Sequence, residues 1–350
     1  MPTPAPNSGK RTILPIQYLR GIAALMVVWF HARGQIPGVE ELVGGTFGAS
    51  GVDLFFAISG FIMVVTTSGT TLSPWEFLKR RFMRVAPPYW ILTLLMVAVA
   101  SAIPSLFRTL IVTPTTLVQS LLFIPHFSAS FPNKVYPLLV PGWTLDMEMF
   151  FYSMFAISLF LQERQRLATL AVTVVALAAT GLFFGPFGSA VAKTYTSPLL
   201  LEFAAGAIIG RWWIGGKMRL PVAASLLLMI GGAVLMVVRE GDPPYRFTQV
   251  IAASFIVVGA LNSRFHNWDN RVLRELGDSS YSLYLSHVFT LGVLRVGWTK
   301  ILPVTSTLSG AVAFMIISLV VCAIVGVLMY HWLEVPLSRV LKRRASVSPA

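Results

Sequence analysis

Apolar segments of roughly the length of a membrane-spanning helix recur along the whole chain, separated by Pro, Gly or charged residues. A bilayer core about 30 Å thick needs roughly 20 apolar residues per helix. The pattern therefore predicts an all-α bundle of about ten membrane-spanning helices, at 13–32, 48–67, 86–103, 143–161, 167–184, 198–214, 220–238, 246–262, 279–298 and 308–333. A shorter apolar run at 116–127 lies in the Pro-rich stretch 104–142. We interpret that stretch as a long outer loop, and its pattern leaves open whether it holds a re-entrant segment.

The composition agrees with an integral membrane protein. Hydrophobic residues make up 55 % of the chain and charged residues 12 %, with a mean hydropathy of +0.74, whereas soluble domains carry about 25 % charged residues. This balance excludes a disordered chain and a large soluble core. The single cysteine, Cys322, excludes an intrachain disulfide and a multi-thiolate metal site. We divide the chain into a cytoplasmic tail at 1–11, a membrane-embedded domain at 12–340 and a cytoplasmic tail at 341–350, and we expect the Pro-rich start and the Ser-Pro-Ala end to be disordered.

The basic charge follows the predicted topology. Lys and Arg number 27 against 14 acidic residues, a formal net charge of +13, which in a soluble protein would suggest nucleic acid as the partner. Of these cations, 18 lie in the segments predicted on the same side of the membrane as the N-terminus, and 7 lie in the segments on the opposite side. The positive-inside rule then places both termini in the cytoplasm. The charge therefore orients the chain in contact with membrane lipids, and we expect no nucleic-acid partner.

Ionisable residues inside the predicted helices point to function, because each costs about 2.5–3.5 kcal/mol on insertion scales. In the first span, Arg20 and His31 lie eleven residues apart. They therefore share one helix face, about 16.5 Å apart along the axis. A purely structural interpretation has Arg20 reaching the inner headgroups and His31 at the outer interface.

Three acidic residues accompany His31 on the outer side. Asp53 lies at the start of the second span, where a carboxylate near His31 could fix its tautomer. Asp146 and Glu148 are about 200° apart around their helix, so only one of them faces the bundle interior. His31, Asp53 and one of these two form a candidate acid/base site.

Other polar and aromatic residues have simpler explanations. Trp143 and Tyr152 are typical interface aromatics, and for His287, on the same Ser- and Tyr-rich helix as Tyr284, an interhelical hydrogen bond is favoured over catalysis. The small residues at the start of the second span indicate close helix packing: Gly48, Ser50, Gly51, Ser59 and Gly60. The basic run Lys79–Arg84 anchors the chain at anionic lipid, and within it Arg81 and Arg84 form a cationic pair suited to phosphate.

Taken together, these motifs resemble the membrane acyltransferase 3 family, bacterial enzymes of about ten spans that O-acylate surface and secreted carbohydrates. The resemblance covers roughly 12–340. It rests on Arg20 and His31, Gly51 to Phe61, Arg80 to Tyr89, Trp143 to Glu148 with Phe151 and Tyr152, Ser280 to His287, and Glu334 with Pro336. The segment from Trp143 to Tyr152 looks most like the branch that acetylates exopolysaccharide, and its pattern selects Glu148 over Asp146 as the inward carboxylate.

The resemblance implies an O-acyltransferase in the bacterial cytoplasmic (inner) membrane. The donor is acyl-CoA, with acetyl-CoA expected, and the acceptor is a polysaccharide or lipid-linked oligosaccharide, handled alone or with polysaccharide biosynthesis or export machinery. No metal and no permanently bound cofactor are implied.

The resemblance also suggests roles for the candidate residues. His31 serves as general base, or carries the acyl group itself, and Asp53 or Glu148 orients it. The residues expected to bind acyl-CoA are Arg20, Arg81 and Arg84, with Arg80 as a further candidate. The candidate supporting residues of the site are Trp143, Tyr152, Tyr284 and His287. The alternatives are a proton-coupled transporter, a lipid-linked sugar flippase, or a non-enzymatic assembly factor for polymer export.

Overall fold

The fold is described here from a computed structural model that covers residues 13–102, 110–238, 244–262, 268–301 and 307–347. These residues are helical apart from their connecting loops, and an isolated bridge between Phe127 and Val135 is their only β pairing. The helices are α1 Leu14–Arg33, α2 Val39–Val43, α3 Gly51–Thr67, α4 Pro74–Ala102, α5 Pro114–Leu121, α6 Gly142–Ser158, α7 Glu163–Phe184, α8 Ala190–Tyr195, α9 Leu200–Ile214, α10 Val222–Val238, α11 Pro244–Asn262, α12 Arg271–Asp278, α13 Ser280–Ile301, α14 Leu308–Met329 and α15 Val335–Val347. A 3-10 turn precedes α3, and a π-helical segment, Tyr330–Glu334, joins α14 to α15.

Every predicted span corresponds to a helix of 15 or more residues. By length and hydropathy, five helical segments of the described chain are long and apolar enough to cross a membrane: Leu14–Arg33, Phe47–Thr67, Pro74–Ala102, Glu163–Phe184 and Leu308–Leu341. The all-α class is confirmed. The number of ten membrane crossings and the cytoplasmic position of both termini stay predictions.

Two boundaries differ from the predicted ones. The third span was predicted to begin at residue 86, but α4 begins at Pro74, so the basic run is part of the same helix. Pro87 and Pro88 lie inside that helix, although each lacks the N–H of an ordinary helical residue. At the other end of the chain, α15 extends helix to Val347, beyond the predicted boundary at 340. The predicted tail at 1–11 and the last three residues, 348–350, lie outside the described residues.

Glycines bring α3 against its neighbours, as the sequence predicted. A Cβ on Gly51 would lie 2.4 Å from the Ala23 carbonyl oxygen of α1, and a Cβ on Gly60 would lie 1.9 Å from that of Phe203 in α9. No real side chain tolerates these separations. The absence of a Cβ therefore permits the backbone approach, as at small-residue interfaces in membranes.

An aromatic stack supports the middle of the bundle. Phe203 of α9 packs between Phe56 of α3 and Phe151 of α6, with ring centroids 4.4 Å apart on both sides. Because Phe56 also contacts Trp143 at 6.4 Å, these rings join three helices into one rigid wall. That wall stands beside the central cavity described next.

Candidate active site

A cavity among α1, α3, α4, α6 and α13 contains the charged candidates. It encloses about 750 Å³, including its open mouth, and four charged side chains line it: Arg20, Arg81, Arg84 and Glu148. Its wall along α3 extends from Val52 to Met63, which is about 16.5 Å of helix. We call this space the central cavity. Its basic end lies toward the start of α1, and its other end lies toward His31, near the end of α1.

Two of the three arginines in the basic run face the central cavity. Arg81 donates a hydrogen bond to Thr66 Oγ1 at 2.8 Å, and its guanidinium lies 5.6 Å from the ring centroid of Phe77. Arg84 lines the cavity and is exposed, with no ion-pair partner among the described residues. Arg80 instead pairs with Glu76 on the exposed face of α4 and is outside the cavity lining. The structure therefore separates Arg80 from the other two.

Arg20 of α1 is the third arginine of the cavity lining, and a chain of hydrogen bonds holds it in place. Its guanidinium donates to Gln17 Oε1 at 3.1 Å, and the Gln17 amide donates to Asp278 Oδ1 at 2.6 Å. Burial raises the pKa of the Asp278 carboxyl, and the nearby positive charge of Arg20 opposes this increase. A Cβ on Gly277 would lie 2.2 Å from the Gln17 carbonyl oxygen, so α12 packs directly on α1 at this level. This packing fixes the position of Arg20.

Glu148 lines the central cavity. Its carboxylate accepts hydrogen bonds from Ser59 Oγ at 2.5 Å and from the hydroxyl of Tyr152, one turn further along α6. Because Tyr152 also lies under the Arg81 guanidinium at 6.0 Å, Glu148 and Arg81 share one polar cluster. With three arginines and one glutamate, the charged lining has a formal charge of +2.

Tyr284 stands at the end of the central cavity that faces His31. Its hydroxyl is 2.8 Å from Thr144 Oγ1 and donates to the Pro141 carbonyl at 3.0 Å. The Tyr284 ring packs on Phe55 at 5.7 Å and lies 6.0 Å from the ring of His287. The side chain therefore separates the cavity from the histidines behind it.

The imidazole rings of His31 and His287 are neighbours, inclined at 50° to each other. Their ring centroids are 4.9 Å apart. In each ring Nδ1 lies near a carbonyl of its own helix, that of Val27 at 2.9 Å for His31 and that of Tyr284 at 2.6 Å for His287. A carbonyl can only accept, so Nδ1 carries the proton and Nε2 of each neutral ring keeps its lone pair.

His31 has its Nδ1 against the Val27 carbonyl. The predicted role of Asp53 or Glu148 in orienting His31 stays a prediction. Asp53 is buried in the first turn of α3, where the helix dipole favours a carboxylate. Asp146 is also buried, outside the cavity lining, and its Oδ1 has no hydrogen-bond partner among the described residues.

Several site residues were not identified from the sequence. Ser59 was interpreted as a packing residue, yet it donates to Glu148. Thr144, Ser280 and Tyr281 line the cavity without having been singled out as site residues. Ser280 and Tyr281 belong to the motif that led to Tyr284 and His287, and that motif was the one signal that could have indicated them.

Comparison with known proteins shows the family to which the chain belongs. The family model described as "Acyltransferase domain" matches residues 14–332. The chain is 37 % identical to the exopolysaccharide production protein ExoZ of Rhizobium meliloti over 297 residues, which cover 84 % of this chain and 90 % of that protein. It is also 27 % identical to the acyltransferase MdmB of Streptomyces mycarofaciens, over 95 % of this chain and 93 % of that protein. No solved structure matches the chain.

The family match covers most of the chain, including every residue that lines the central cavity and the two neighbouring histidines, His31 and His287. The family match identifies the chain as an enzyme and not as a transporter. The chain belongs to the acyltransferase 3 family and is an O-acyltransferase.

Proposed function

We propose that this enzyme takes an acyl group, acetyl by preference, from cytosolic acyl-CoA and transfers it to a hydroxyl of a secreted or surface polysaccharide. The observation that carries the proposal is the central cavity, with arginines at one end and, at the other, Tyr284, whose ring neighbours His287 of the histidine pair. The polysaccharide class is supported by the similarity to a protein named for exopolysaccharide production.

The basic end suits the phosphates of coenzyme A. Arg84 has no ion-pair partner among the described residues, Arg81 is held by Thr66, and Arg20 is held by Gln17. Guanidinium groups bind phosphate through paired N–H donors. The length of the cavity wall along α3, about 16.5 Å, is comparable to an extended pantetheine arm. Phosphates at the basic end therefore direct the thioester toward Tyr284.

His31 is the general base in this proposal. Its Nε2 lone pair takes the proton from the acceptor hydroxyl while the hydroxyl oxygen attacks the thioester carbonyl carbon. The tetrahedral intermediate collapses as the C–S bond breaks, and the leaving coenzyme A thiolate takes the proton back from the imidazolium. The ester and free thiol form without net gain or loss of a proton. The Val27 carbonyl holds the tautomer that this step requires.

Tyr284 must turn aside before transfer occurs. In the structure its hydroxyl bonds to Thr144 and to the Pro141 carbonyl, so its ring closes the cavity toward His287. We assign it the role of a barrier that keeps the thioester away from water until the acceptor is bound. Exclusion of water from an acyl donor prevents wasteful hydrolysis.

The proposal includes the topology predicted from the sequence: ten membrane crossings, both termini in the cytoplasm of a bacterium, and the basic end of the cavity open to cytosolic acyl-CoA. Single cysteines at Lys79 and Lys134 test it, because both positions are exposed and the native Cys322 is buried. In intact spheroplasts, a membrane-impermeant maleimide should label the Lys134→Cys variant and leave the Lys79→Cys variant unlabelled. Labelling of both variants, or of the Lys79→Cys variant alone, would contradict the orientation.

The direct test of the activity uses the purified enzyme in nanodiscs, without an ion gradient. Acetyl-CoA labelled in the acetyl group is supplied together with the exopolysaccharide of a deletion strain, and ester-linked label in the polymer is counted. We expect label to accumulate with the wild-type enzyme and to be absent with the His31→Ala variant. Equal labelling by both enzymes would refute the assignment of His31, and no labelling by the wild type would refute the donor or the acceptor class.

A further inference from the structure

One hydroxyl group in the wall of the central cavity differs from the others. Among the described residues, six side chains with a hydroxyl line this cavity: Ser59, Thr144, Tyr152, Ser280, Tyr281 and Tyr284. The Ser280 side chain is fully buried, and its Oγ has no hydrogen-bond partner among the described residues. We propose that this hydroxyl binds an amide oxygen of the pantetheine arm of the acyl donor. The inference rests on the proposed function and names a residue that recognises the donor between its phosphates and its thioester.

The other five hydroxyl groups are already bonded within the protein. Four of them belong to the hydrogen bonds around Glu148 and around the Pro141 carbonyl. The fifth, that of Tyr281, donates to the Val85 carbonyl of α4 at 2.6 Å. A ligand would compete with these bonds if it used any of the five, whereas Ser280 has no such bond to lose.

An unpaired hydroxyl inside a protein has an energetic cost. The Ser280 hydroxyl has left its hydrogen bonds to water without a described replacement, which is unfavourable. Nearly all buried polar groups of native proteins have a partner, and the exceptions call for an explanation. Because Ser280 forms part of the cavity wall, a ligand oxygen in the cavity can accept from its O–H. Binding of a ligand therefore supplies the missing hydrogen bond.

The position of Ser280 along α13 selects the part of the donor that it meets. Ser280 and Tyr284 are four residues apart, so they share one face of the helix about 6 Å apart along its axis. Just before Ser280 in the chain, Asp278 accepts from Gln17, which in turn accepts from Arg20 at the basic end. Ser280 therefore lies between the support of the basic end and the Tyr284 barrier.

The pantetheine arm has the groups that fit this position. With the thioester at Tyr284, a point about 6 Å back along the cavity is reached by the arm, whose nearest amide lies only a few bonds from the sulfur. The phosphates are at the far end of the arm, where guanidinium groups suit their charge. A serine hydroxyl is a neutral donor, and an amide oxygen is a neutral acceptor. The position and the chemistry thus both favour the amide over the phosphates.

The test separates the arm from the phosphates by using two donors. Acetyl-CoA carries both, whereas acetyl-pantetheine keeps the whole arm and lacks the nucleotide phosphates. Ser280→Ala removes the hydroxyl, and Ser280→Thr keeps one. Ser318→Ala of α14 is the matched control, because Ser318 is equally buried, its Oγ also has no partner among the described residues, and it lies outside the cavity lining. The readouts are KM and kcat for each donor, and the melting temperature in detergent.

We expect Ser280→Ala to raise KM by the same factor for both donors, about 3-fold to 10-fold, the range for loss of one neutral hydrogen bond. The kcat should stay near the wild-type value, because this contact holds the donor equally before and during transfer. The melting temperature without donor should not fall, since the free protein loses no hydrogen bond. Ser280→Thr and Ser318→Ala should keep the wild-type KM values. If Ser280→Ala does not fold, Ser280→Gly removes the same hydroxyl and decides the question.

A rise in KM for acetyl-CoA alone would assign Ser280 to the phosphates and overturn the inference. Unchanged KM values in a folded Ser280→Ala variant, with wild-type transfer from both donors intact, would also overturn it and leave the proposed function standing. If the wild type transfers acetyl groups from neither thioester, the donor class of the proposed function falls, and the role of Ser280 with it. The two failures are therefore distinguishable.

Discussion

The two ends of the central cavity are built in opposite ways. At the basic end, charged side chains from α1, α4 and α6 line the space, and Gln17, Thr66 and Ser59 hold three of them in place. At the His31 end, the two imidazoles have their Nδ1 atoms against backbone carbonyls of their own helices. The difference indicates a division of labour, with donor binding at the basic end and proton transfer at the His31 end.

The division has a physical basis. An imidazole is useful as a base only while Nε2 is unprotonated, and the Val27 carbonyl at Nδ1 of His31 holds that tautomer. Glu148 lies with Arg81 and Tyr152 at the basic end. Phosphate binding has the opposite requirement, because it gains from positive charge that other groups have already oriented.

The largest effect is expected from His31→Ala. Loss of a general base lowers the rate by about 100-fold to 10,000-fold, so acetyl transfer to polysaccharide should fall by at least the lower value. Incorporation of labelled acetyl groups measures this, and the melting temperature in detergent checks folding. A His31→Ala variant with more than about a tenth of wild-type transfer would refute the role of His31.

Arg81→Ala and Arg84→Ala should weaken acyl-CoA binding by about 10-fold each, because hydrogen bonds to charged groups contribute about 1.5–3 kcal/mol. Arg80→Ala is the matched control, since Arg80 lies in the same basic run but pairs with Glu76 outside the cavity. The donor KM measures the effect, and acetyl-pantetheine, which lacks the nucleotide phosphates, should show little difference among the three variants. An equal loss with both donors would show that the arginines do not recognise phosphate.

Tyr284→Phe should loosen the barrier while keeping its bulk. The variant loses the hydrogen bonds to Thr144 and the Pro141 carbonyl. Hydrolysis of acetyl-CoA without acceptor should then rise by about 3-fold to 10-fold, the range that a lost bond of about 0.5–1.5 kcal/mol allows. Release of free thiol follows the reaction, and Tyr330→Phe, outside the cavity lining, is the control. Hydrolysis at the wild-type rate would exclude Tyr284 as the barrier.

The smallest effect is expected at Asp278. Asp278→Ala removes the acceptor of the Gln17 amide and so loosens Arg20, whereas Asp278→Asn keeps an acceptor oxygen. The donor KM should rise by about 3-fold in the alanine variant, as loss of roughly 0.7 kcal/mol implies, and should stay near the wild-type value in the asparagine variant. Equal KM values for the two variants would refute a positioning role.

The helices were predictable from the sequence because apolar runs of membrane length leave few alternatives. The start of α4 was not, because Pro87 and Pro88 look like a helix boundary, and only packing shows that the helix continues through them. The sequence therefore placed the basic run before the helix instead of within it.

Local spacing predicted the residues of the candidate site better than their partners. Arg20 and His31 share a helix, and Arg81 and Arg84 share a face, so periodicity was sufficient. The hydrogen bond from Gln17 to Asp278 joins residues 261 positions apart in the chain, and no local sequence pattern indicates such a contact. The contact of His31 Nδ1 with the Val27 carbonyl was not predicted either, since depth along a helix does not fix which neighbour a side chain meets.

The central claim is that acyl-CoA is bound at the basic end and reacts at the His31 end. Isothermal titration calorimetry with a non-hydrolysable acetyl-CoA thioether, performed on the wild type, His31→Ala and Arg84→Ala in nanodiscs, tests it most directly. We predict a wild-type Kd for His31→Ala and a Kd about 10-fold higher for Arg84→Ala, the loss expected for one charged contact. Weakened binding in His31→Ala together with an unchanged Kd in Arg84→Ala would contradict the division between the two ends.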